Sequence, residues 1–166
     1  MPNQPSPQHA PDHEHWMRLA IVQARQGLAA GQSPFGCVIV RDGAVIGAGH
    51  NEVWLRGDPT AHAEVVAIQR AARAAGSIEL SGCTLYTTCE PCPMCAAASH
   101  WAKVPTVVFG ATIADAQRAG FSELTHPAAA LYTAGGSPVR LIRGVLQEEC
   151  AALFDEWLAR EDRRVY

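Results

Sequence analysis

The 166-residue sequence lacks the features that would place it in a membrane or on nucleic acid. No uninterrupted apolar run approaches the roughly 20 residues that a membrane-spanning helix needs, so we expect a soluble protein with no membrane partner. Basic residues are not in excess, because 13 Lys and Arg stand against 16 Asp and Glu and the net charge is −3. Binding to phosphate backbones requires accumulated positive charge, so nucleic acid is not the expected partner.

The first eleven residues contain four prolines and no apolar core of the kind found in a signal peptide. We therefore predict a disordered tail over residues 1–11, a single domain over residues 12–166 and a cytoplasmic location. The six cysteines would suit disulfides in a secreted chain. In a reducing compartment they are expected to be metal ligands or small core residues.

Periodicity and turn signals predict helices that alternate with strands. The predicted helices cover residues 12–28, 61–75, 91–101 and 145–160, with a short turn at 114–119, and the predicted strands cover 37–40, 44–49, 83–87, 106–110 and 139–142. Asp42-Gly43 between two apolar runs predicts a hairpin, and Asp58 followed by Pro59 predicts a helix start. Residues 121–138 carry no clear pattern. The order predicts an α/β fold, a three-layer α/β/α sandwich.

Three cysteines at ligand spacing lie where a predicted strand gives way to a predicted helix: Cys89, Cys92 and Cys95. With Pro91 opening the helix, Cys92 and Cys95 share its first turn and can bind one ion. A helix N-terminus favours thiolates, which suit zinc. The same pair also fits a thioredoxin-like redox site, and with Cys89 it resembles an iron–sulfur motif, although Ser99 stands where a fourth nearby cysteine would fall.

His62 and Glu64 stand about thirty residues upstream, near the start of the preceding predicted helix. His-x-Glu followed by Pro-Cys-x-x-Cys is the signature of zinc deaminases. It predicts zinc held by His62, Cys92 and Cys95, with the fourth tetrahedral position left for water. Glu64 is expected to move protons as the catalytic acid and base rather than to bind the metal. If Cys89 were a fourth ligand, the site would be structural and inert.

At these residues the chain resembles the cytidine deaminase-like superfamily of zinc deaminases, from about Trp16 to the C-terminus. The resemblance implies a central mixed five-stranded sheet and one Zn²⁺ per subunit. The blocks 58–64 and 89–95 are similar to the purine-acting branch, which includes guanine deaminases and tRNA adenosine deaminases. Similarity to the guanine deaminases is carried by Pro34-Phe35-Gly36, Asn51, Trp101-Ala102, Asp115-Ala116, Ala119-Gly120-Phe121 and a terminal Tyr166.

The resemblance also implies which side chains bind the substrate. Asn51 and Asp115 would contact a purine, Phe35 and Trp101 would line its pocket, and Tyr166 would close it. Each of these residues also has a purely structural interpretation: a core aromatic, a loop cap, the N-cap of a short helix, or a frayed terminus.

The function implied by the resemblance is zinc-dependent hydrolytic deamination of a small purine-type base, guanine to xanthine plus ammonia, within purine metabolism. The alternative function, deamination of adenosine to inosine in tRNA, is favoured by the strand-and-helix pattern of residues 139–160 and by Arg160, Arg163 and Arg164. Nearby acidic residues offset the charge of these arginines. Another aminated heterocycle or a nucleoside is a further alternative. If the protein is not an enzyme, the alternatives are a structural zinc module and a redox module. A homodimer is expected, and in the guanine branch the C-terminal segments are exchanged between subunits.

Overall fold

The computed structural model describes residues 12–165. The predicted tail at 1–11 and the terminal Tyr166 lie outside the described residues. The helices are α1 His13–Ala29, α2 Val53–Arg56, α3 Ala63–Ala75, α4 Pro93–Trp101, α5 Ile113–Arg118, α6 Ala128–Ala134 and α7 Gln147–Leu158. The strands are β1 Gly36–Arg41, β2 Ala44–His50, β3 Thr84–Cys89, β4 Thr106–Ala111 and β5 Arg140–Arg143. Over residues 12–165, no helix combines the length and apolarity needed to cross a membrane.

The five strands form one mixed sheet in the order β2-β1-β3-β4-β5. β1 runs antiparallel to β2 and β3, whereas β3, β4 and β5 are parallel to one another. α1 and α7 cover one face of the sheet through a core that includes Met17, Tyr86 and Phe154. α3 covers the other face, with α4 beside it and α6 against α4. The predicted three-layer sandwich around a mixed five-stranded sheet is confirmed.

Two glycines let helices lie directly on the strands. A Cβ at Gly36 of β1 would collide with the backbone of α1 at Ala20 and Ala24, and one at Gly110 of β4 would collide with Cys150 of α7. Glycine inside a strand often marks such a close approach of another element. The tight packing of α1 on β1 fixes Phe35, the residue before the strand, beside the site described below.

Two helices begin later than the sequence predicts. The Asp58 carboxylate accepts hydrogen bonds from the Thr60 N–H at 2.8 Å and hydroxyl at 2.7 Å, so Asp58 and Pro59 form a turn instead of starting a helix. α3 starts at Ala63, and α4 starts at Pro93 rather than at Pro91. The difference places two of the predicted metal ligands just ahead of their helices.

Two short helices were not predicted. α2 follows β2 within a stretch expected to be a loop, and α6 lies within the unpatterned residues 121–138. α6 is attached to α4 by long-range contacts, because the Tyr132 hydroxyl donates a hydrogen bond to the Ala96 carbonyl at 3.0 Å and Ala128 is fully buried against the same residue. Such contacts leave little trace in local periodicity.

Candidate active site

His62 and Cys92 occupy equivalent positions at the starts of α3 and α4. Both are N-cap residues with extended backbone, and neither side chain caps its own helix. The two side chains instead approach each other between the two helices, with Sγ of Cys92 near Nδ1 of His62. Cys95, fully buried, follows in the first turn of α4. The end of β3 leads into this turn, so the sheet sets the position of both cysteines.

The geometry of the three predicted ligands fits a tetrahedral zinc ion. Nδ1 of His62 lies 3.7 Å from Sγ of Cys92 and 3.6 Å from Sγ of Cys95. Bonds of about 2.3 Å to sulfur and about 2.0 Å to nitrogen place those atoms roughly 3.6 Å apart around a tetrahedral centre. All three ligand atoms lie within 4.8 Å of one another. One imidazole and two thiolates form a donor set typical of zinc.

The electrostatics of the site favour the thiolate form of Cys92. A hydrogen bond from Cys95, together with the His62 ring, lowers the pKa of Cys92 to about 4 despite its partial burial. Cys92 is therefore a thiolate at neutral pH, as a zinc ligand must be. Its position at the start of α4 adds the stabilising field of a helix N-terminus.

The thiol of Cys89 makes its hydrogen bond to a different part of the chain and not to the other two cysteines. Its Sγ donates to the carbonyl oxygen of Thr112 at 3.4 Å, at the end of β4, and the residue is buried. The group of ligand atoms within mutual reach comprises His62, Cys92 and Cys95 without Cys89. This arrangement favours a three-residue ligand set, which leaves one tetrahedral position for water.

Glu64 faces the same space as His62 although it lies only two residues further along the chain. The two side chains would diverge on a regular helix, but His62 precedes α3 in an extended conformation. Glu64 is 6% exposed and accepts a hydrogen bond from the Thr87 hydroxyl at 3.0 Å. Burial and the charge of Cys92 raise its pKa, while His62 and Thr87 oppose that shift. A raised pKa suits a group that must both accept and donate a proton.

A small cavity lies next to these side chains and adjoins a larger one. The small cavity has a volume of about 10 Å³, which is roughly the space of one water molecule. Its lining residues are Phe35, His62, Glu64, Cys89, Glu90, Cys92 and Glu123. The larger cavity, about 270 Å³, shares three of these residues, His62, Cys92 and Glu123, and opens past Pro59, Phe121 and Leu124.

Glu123, like Glu90, is a lining carboxylate for which no role is predicted from the sequence. It lies between α5 and α6, half-buried, with its side chain on both cavities. Burial, followed by the charge of Cys92, raises its pKa. One signal was present in the sequence, because Glu123 is the only Asp, Glu, Lys or Arg between Arg118 and Arg140.

Two of the predicted substrate residues lie beside the site. Phe35 lines the small cavity and packs edge-on against Phe121 and Phe154, with ring centroids 5.1 and 5.6 Å apart. Asn51 is 1% exposed; its backbone N–H donates to the Phe35 carbonyl at 3.0 Å, and its Oδ1 accepts from the Val53 N–H at 3.2 Å. Asn51 is thereby held next to the aromatic wall of the cavity.

The structure does not bring the other predicted substrate residues to the cavity. The Asp115 carboxylate accepts hydrogen bonds from the Thr112 N–H at 2.9 Å and hydroxyl at 2.8 Å, in a capping box at the start of α5. Trp101 ends α4 with 75% of its surface exposed, beside a groove that Leu131 also lines. Tyr166 lies outside the described residues.

Comparison with known proteins gives consistent matches. The model of the "Cytidine and deoxycytidylate deaminase zinc-binding region" matches residues 10–111. Guanine deaminase of Bacillus subtilis (strain 168) is 48% identical over 113 residues, which are 68% of this chain and 72% of that protein. The tRNA-specific adenosine deaminase of the same organism is 36% identical over 152 residues, 91% of each. The solved structure of guanine deaminase from Nitrosomonas europaea has a TM-score of 0.83 at 29% identity, covering 95% of this chain and 90% of that one.

Proposed function

The chain belongs to the family of cytidine and deoxycytidylate deaminases with this zinc-binding region, and from that membership we propose that it hydrolyses guanine to xanthine and ammonia. The family makes it a zinc-dependent deaminase. The observation that carries the choice of guanine is the carboxylate of Glu123, placed next to the zinc ligands.

The hydrogen-bonding groups around the reacting carbon distinguish guanine from adenine. In guanine, C2 bears the amino group and is bonded to N1, which carries a hydrogen. A carboxylate can accept from both N–H groups, in the paired geometry that carboxylates also use with arginine. In adenine, C6 is bonded to an N1 that carries only a lone pair, which an ionised carboxylate repels. The Glu123 carboxylate therefore selects for guanine, and the N–H groups of guanine stabilise the ionised form against the cost of burial.

The remaining site residues divide the chemistry between them. His62, Cys92 and Cys95 would hold zinc, which when bound would supply a Lewis acid and lower the pKa of a water molecule. Glu64 takes one proton from the attacking water and gives it to a ring nitrogen, then takes a second proton from the new hydroxyl group on the carbon and gives it to the amine, which leaves as ammonia. The Thr87 hydroxyl orients the Glu64 carboxylate during both transfers.

The two cavities suit a water molecule and a base. The small one has the volume of a water molecule next to Glu64, and the larger one adjoins it through Glu123. Phe35 and Asn51 keep their predicted substrate contacts in this proposal. Glu123 takes the carboxylate role predicted for Asp115, whose oxygens cap α5. Closure of the pocket by Tyr166 stays a prediction.

The tRNA-editing alternative is favoured by one observation, the 91% coverage of a tRNA-specific relative. The charges at the site oppose it, because three carboxylates line the small cavity and would repel a phosphate backbone: Glu64, Glu90 and Glu123. In the C-terminal arginine cluster, Arg160 is paired with Asp162 at 2.9 Å. We also propose a cytoplasmic location, since a reducing compartment keeps zinc-binding thiols from forming disulfides. A place in purine metabolism follows from the proposed substrate.

Ammonia release from a substrate panel tests the proposed function. The panel contains guanine, adenine, cytosine, guanosine and a tRNA anticodon stem-loop, each incubated with zinc-loaded protein. We expect guanine to be turned over with kcat/KM at least about 100-fold above adenine, since a mismatched buried hydrogen-bonding group costs about that much or more. Turnover of the stem-loop without turnover of guanine would contradict the proposal and support tRNA editing.

The outer face of α4 supports a homodimer, which we propose as the working assembly. Met94, Ala97, Ala98 and Trp101 follow one another at helical spacing and give this face no charged side chain. Trp and Met are enriched in interfaces, and the small alanines allow another helix to approach closely. α7 packs against α1 and β4 of its own chain. Exchange of the C-terminal segments between subunits stays a prediction.

Replacing Trp101 by Glu should convert the dimer to a monomer. A charge introduced at the centre of an apolar contact is left desolvated and unpaired, which costs more than a small interface can supply. Light scattering coupled to size-exclusion chromatography would measure the change as a halved mass. Ile78→Glu is the matched control, because Ile78 is 84% exposed and lies between α3 and β3. If the Trp101→Glu protein remained dimeric, the proposal that α4 forms the interface would be wrong.

A further inference from the structure

The segment that carries Glu123 is attached to the rest of the fold mainly at its two ends. Among residues 12–165, the backbone N–H groups from Ser122 to His126 donate to no other backbone group. The position of Glu123 over the zinc ligands is therefore set by Phe121 on one side and by the start of α6 on the other.

Aromatic packing fixes the first end. Phe121 is 5% exposed, and its N–H donates to the Ala116 carbonyl at 3.2 Å. Its ring lies 5.1 Å from that of Phe35 and 4.7 Å from that of Trp157, measured between centroids. These contacts join the segment to the core between the sheet and α7.

The packing of α6 on α4 and one carboxylate hold the second end. The N–H of Ala128, the first residue of α6, donates to Oε1 of Glu90 at 3.1 Å. The N-cap residue Pro127 makes no side-chain cap, so Glu90 does for α6 what a capping side chain normally does. Ala128 is fully buried, and its N–H would otherwise be held away from water without an acceptor.

Glu90 belongs to the same turn as the metal ligands. It directly follows β3, its N–H donates to the Ala111 carbonyl of β4 at 2.8 Å, and it lies two residues before Cys92. The backbone around Glu90 is thus held by the sheet, while its carboxylate reaches across to α6. The turn that positions a zinc ligand also holds the far end of the segment bearing Glu123.

We propose that Glu90 is a positioning residue for substrate binding, which fixes the start of α6 and so holds the Glu123 carboxylate at its distance from the zinc ligands. This inference rests on the proposed role of Glu123 in binding guanine. Glu90 acts through Glu123, so its effect should appear in the binding of the base more than in the proton transfers carried out by Glu64.

Substitutions at Glu90 in the full zinc-loaded chain test the proposal. Glu90→Ala should raise KM for guanine by about threefold to thirtyfold, the range expected for a lost helix cap, with kcat changed less and zinc content unchanged. Glu90→Gln keeps an acceptor oxygen and should rescue KM. Glu79→Ala, at an exposed carboxylate on the loop before β3, is the control.

A double-mutant cycle separates positioning from a general structural role. In the Glu123→Gln background, Glu90→Ala should raise KM by much less than it does in the wild type, because residues that act through one another are not additive. Additive effects, or equal effects of Glu90→Ala and Glu90→Gln, would overturn the proposal.

Hydrogen exchange of the resting protein tests the anchor without any substrate. Amides at residues 128–131 should exchange faster in Glu90→Ala than in wild type, and at the wild-type rate in Glu90→Gln. Unchanged exchange in Glu90→Ala would overturn the anchoring role. If wild type released no ammonia from guanine, the proposed function would fail on that result alone, and the exchange comparison would still decide whether Glu90 holds α6.

Discussion

Glu64→Gln should lower kcat for guanine by roughly two to four orders of magnitude, the usual contribution of a positioned acid–base group. Glutamine has nearly the shape of glutamate and can keep the hydrogen bond from the Thr87 hydroxyl, but it cannot take a proton from water at neutral pH. Zinc binding should persist, because Glu64 is not among the three ligand atoms within mutual reach.

Three measurements on the same preparation make this result specific. Ammonia release gives kcat, metal analysis gives zinc per chain, and thermal unfolding shows whether the fold is kept. Glu79→Gln is the control, because it makes the same change at an exposed carboxylate, and it should match the wild type in all three measurements. Full activity in Glu64→Gln would remove the proton-transfer role from this residue.

Cys95→Ala should remove both zinc and activity, whereas Cys89→Ala should retain both. The two thiols lie six residues apart and are similarly buried, at 0% and 5% exposure, so loss of packing affects both variants. Of these two thiols, Cys95 belongs to the group of ligand atoms and lies 3.6 Å from Nδ1 of His62, whereas Cys89 does not belong to it. Zinc stabilises the folded chain by about 4 kcal/mol when its free concentration is a thousandfold above the dissociation constant, and Cys95→Ala should lose most of that.

Zinc per chain, unfolding midpoint with and without a chelator, and ammonia release would be compared for the two variants. Chelator should lower the midpoint of wild type and Cys89→Ala but leave Cys95→Ala nearly unchanged. Loss of zinc from Cys89→Ala would instead indicate four cysteine and histidine ligands and a structural site. A wild-type protein without zinc that cycles a Cys92–Cys95 disulfide would support the redox alternative.

The metal ligands could be predicted because their spacing is a local property of the chain. His62 and Glu64 lie two residues apart, Cys92 and Cys95 three apart, and each pair stands at the start of a helix. The residues at which these helices begin were harder to predict. At α3, the Thr60 N–H donates to the Asp58 carboxylate, and the turn that this bond forms competes with helix initiation. The shift mattered, because an N-cap His62 lets Glu64 face the same cavity.

The substrate side of the site was harder to predict because long-range contacts build it. Glu123 has no periodic pattern around it, and its position depends on contacts between residues far apart in the chain, Phe121 with Phe35 and Ala128 with Glu90. Asp115 shows the opposite difficulty. Its sequence position fits either a substrate ligand or a helix cap, and only the capping box with Thr112 shows how its oxygens are used.

The aromatic cluster of Phe121, Phe154 and Trp157 joins the wall of the larger cavity to the last helix, whereas the metal ligands depend on β3, α3 and α4. Mutations that repack α7 therefore move the wall and Glu123 without disturbing the ligands that activate water. After gene duplication, such a chain can acquire a new heterocycle as substrate through changes in its C-terminal third, while its hydrolytic chemistry is inherited intact.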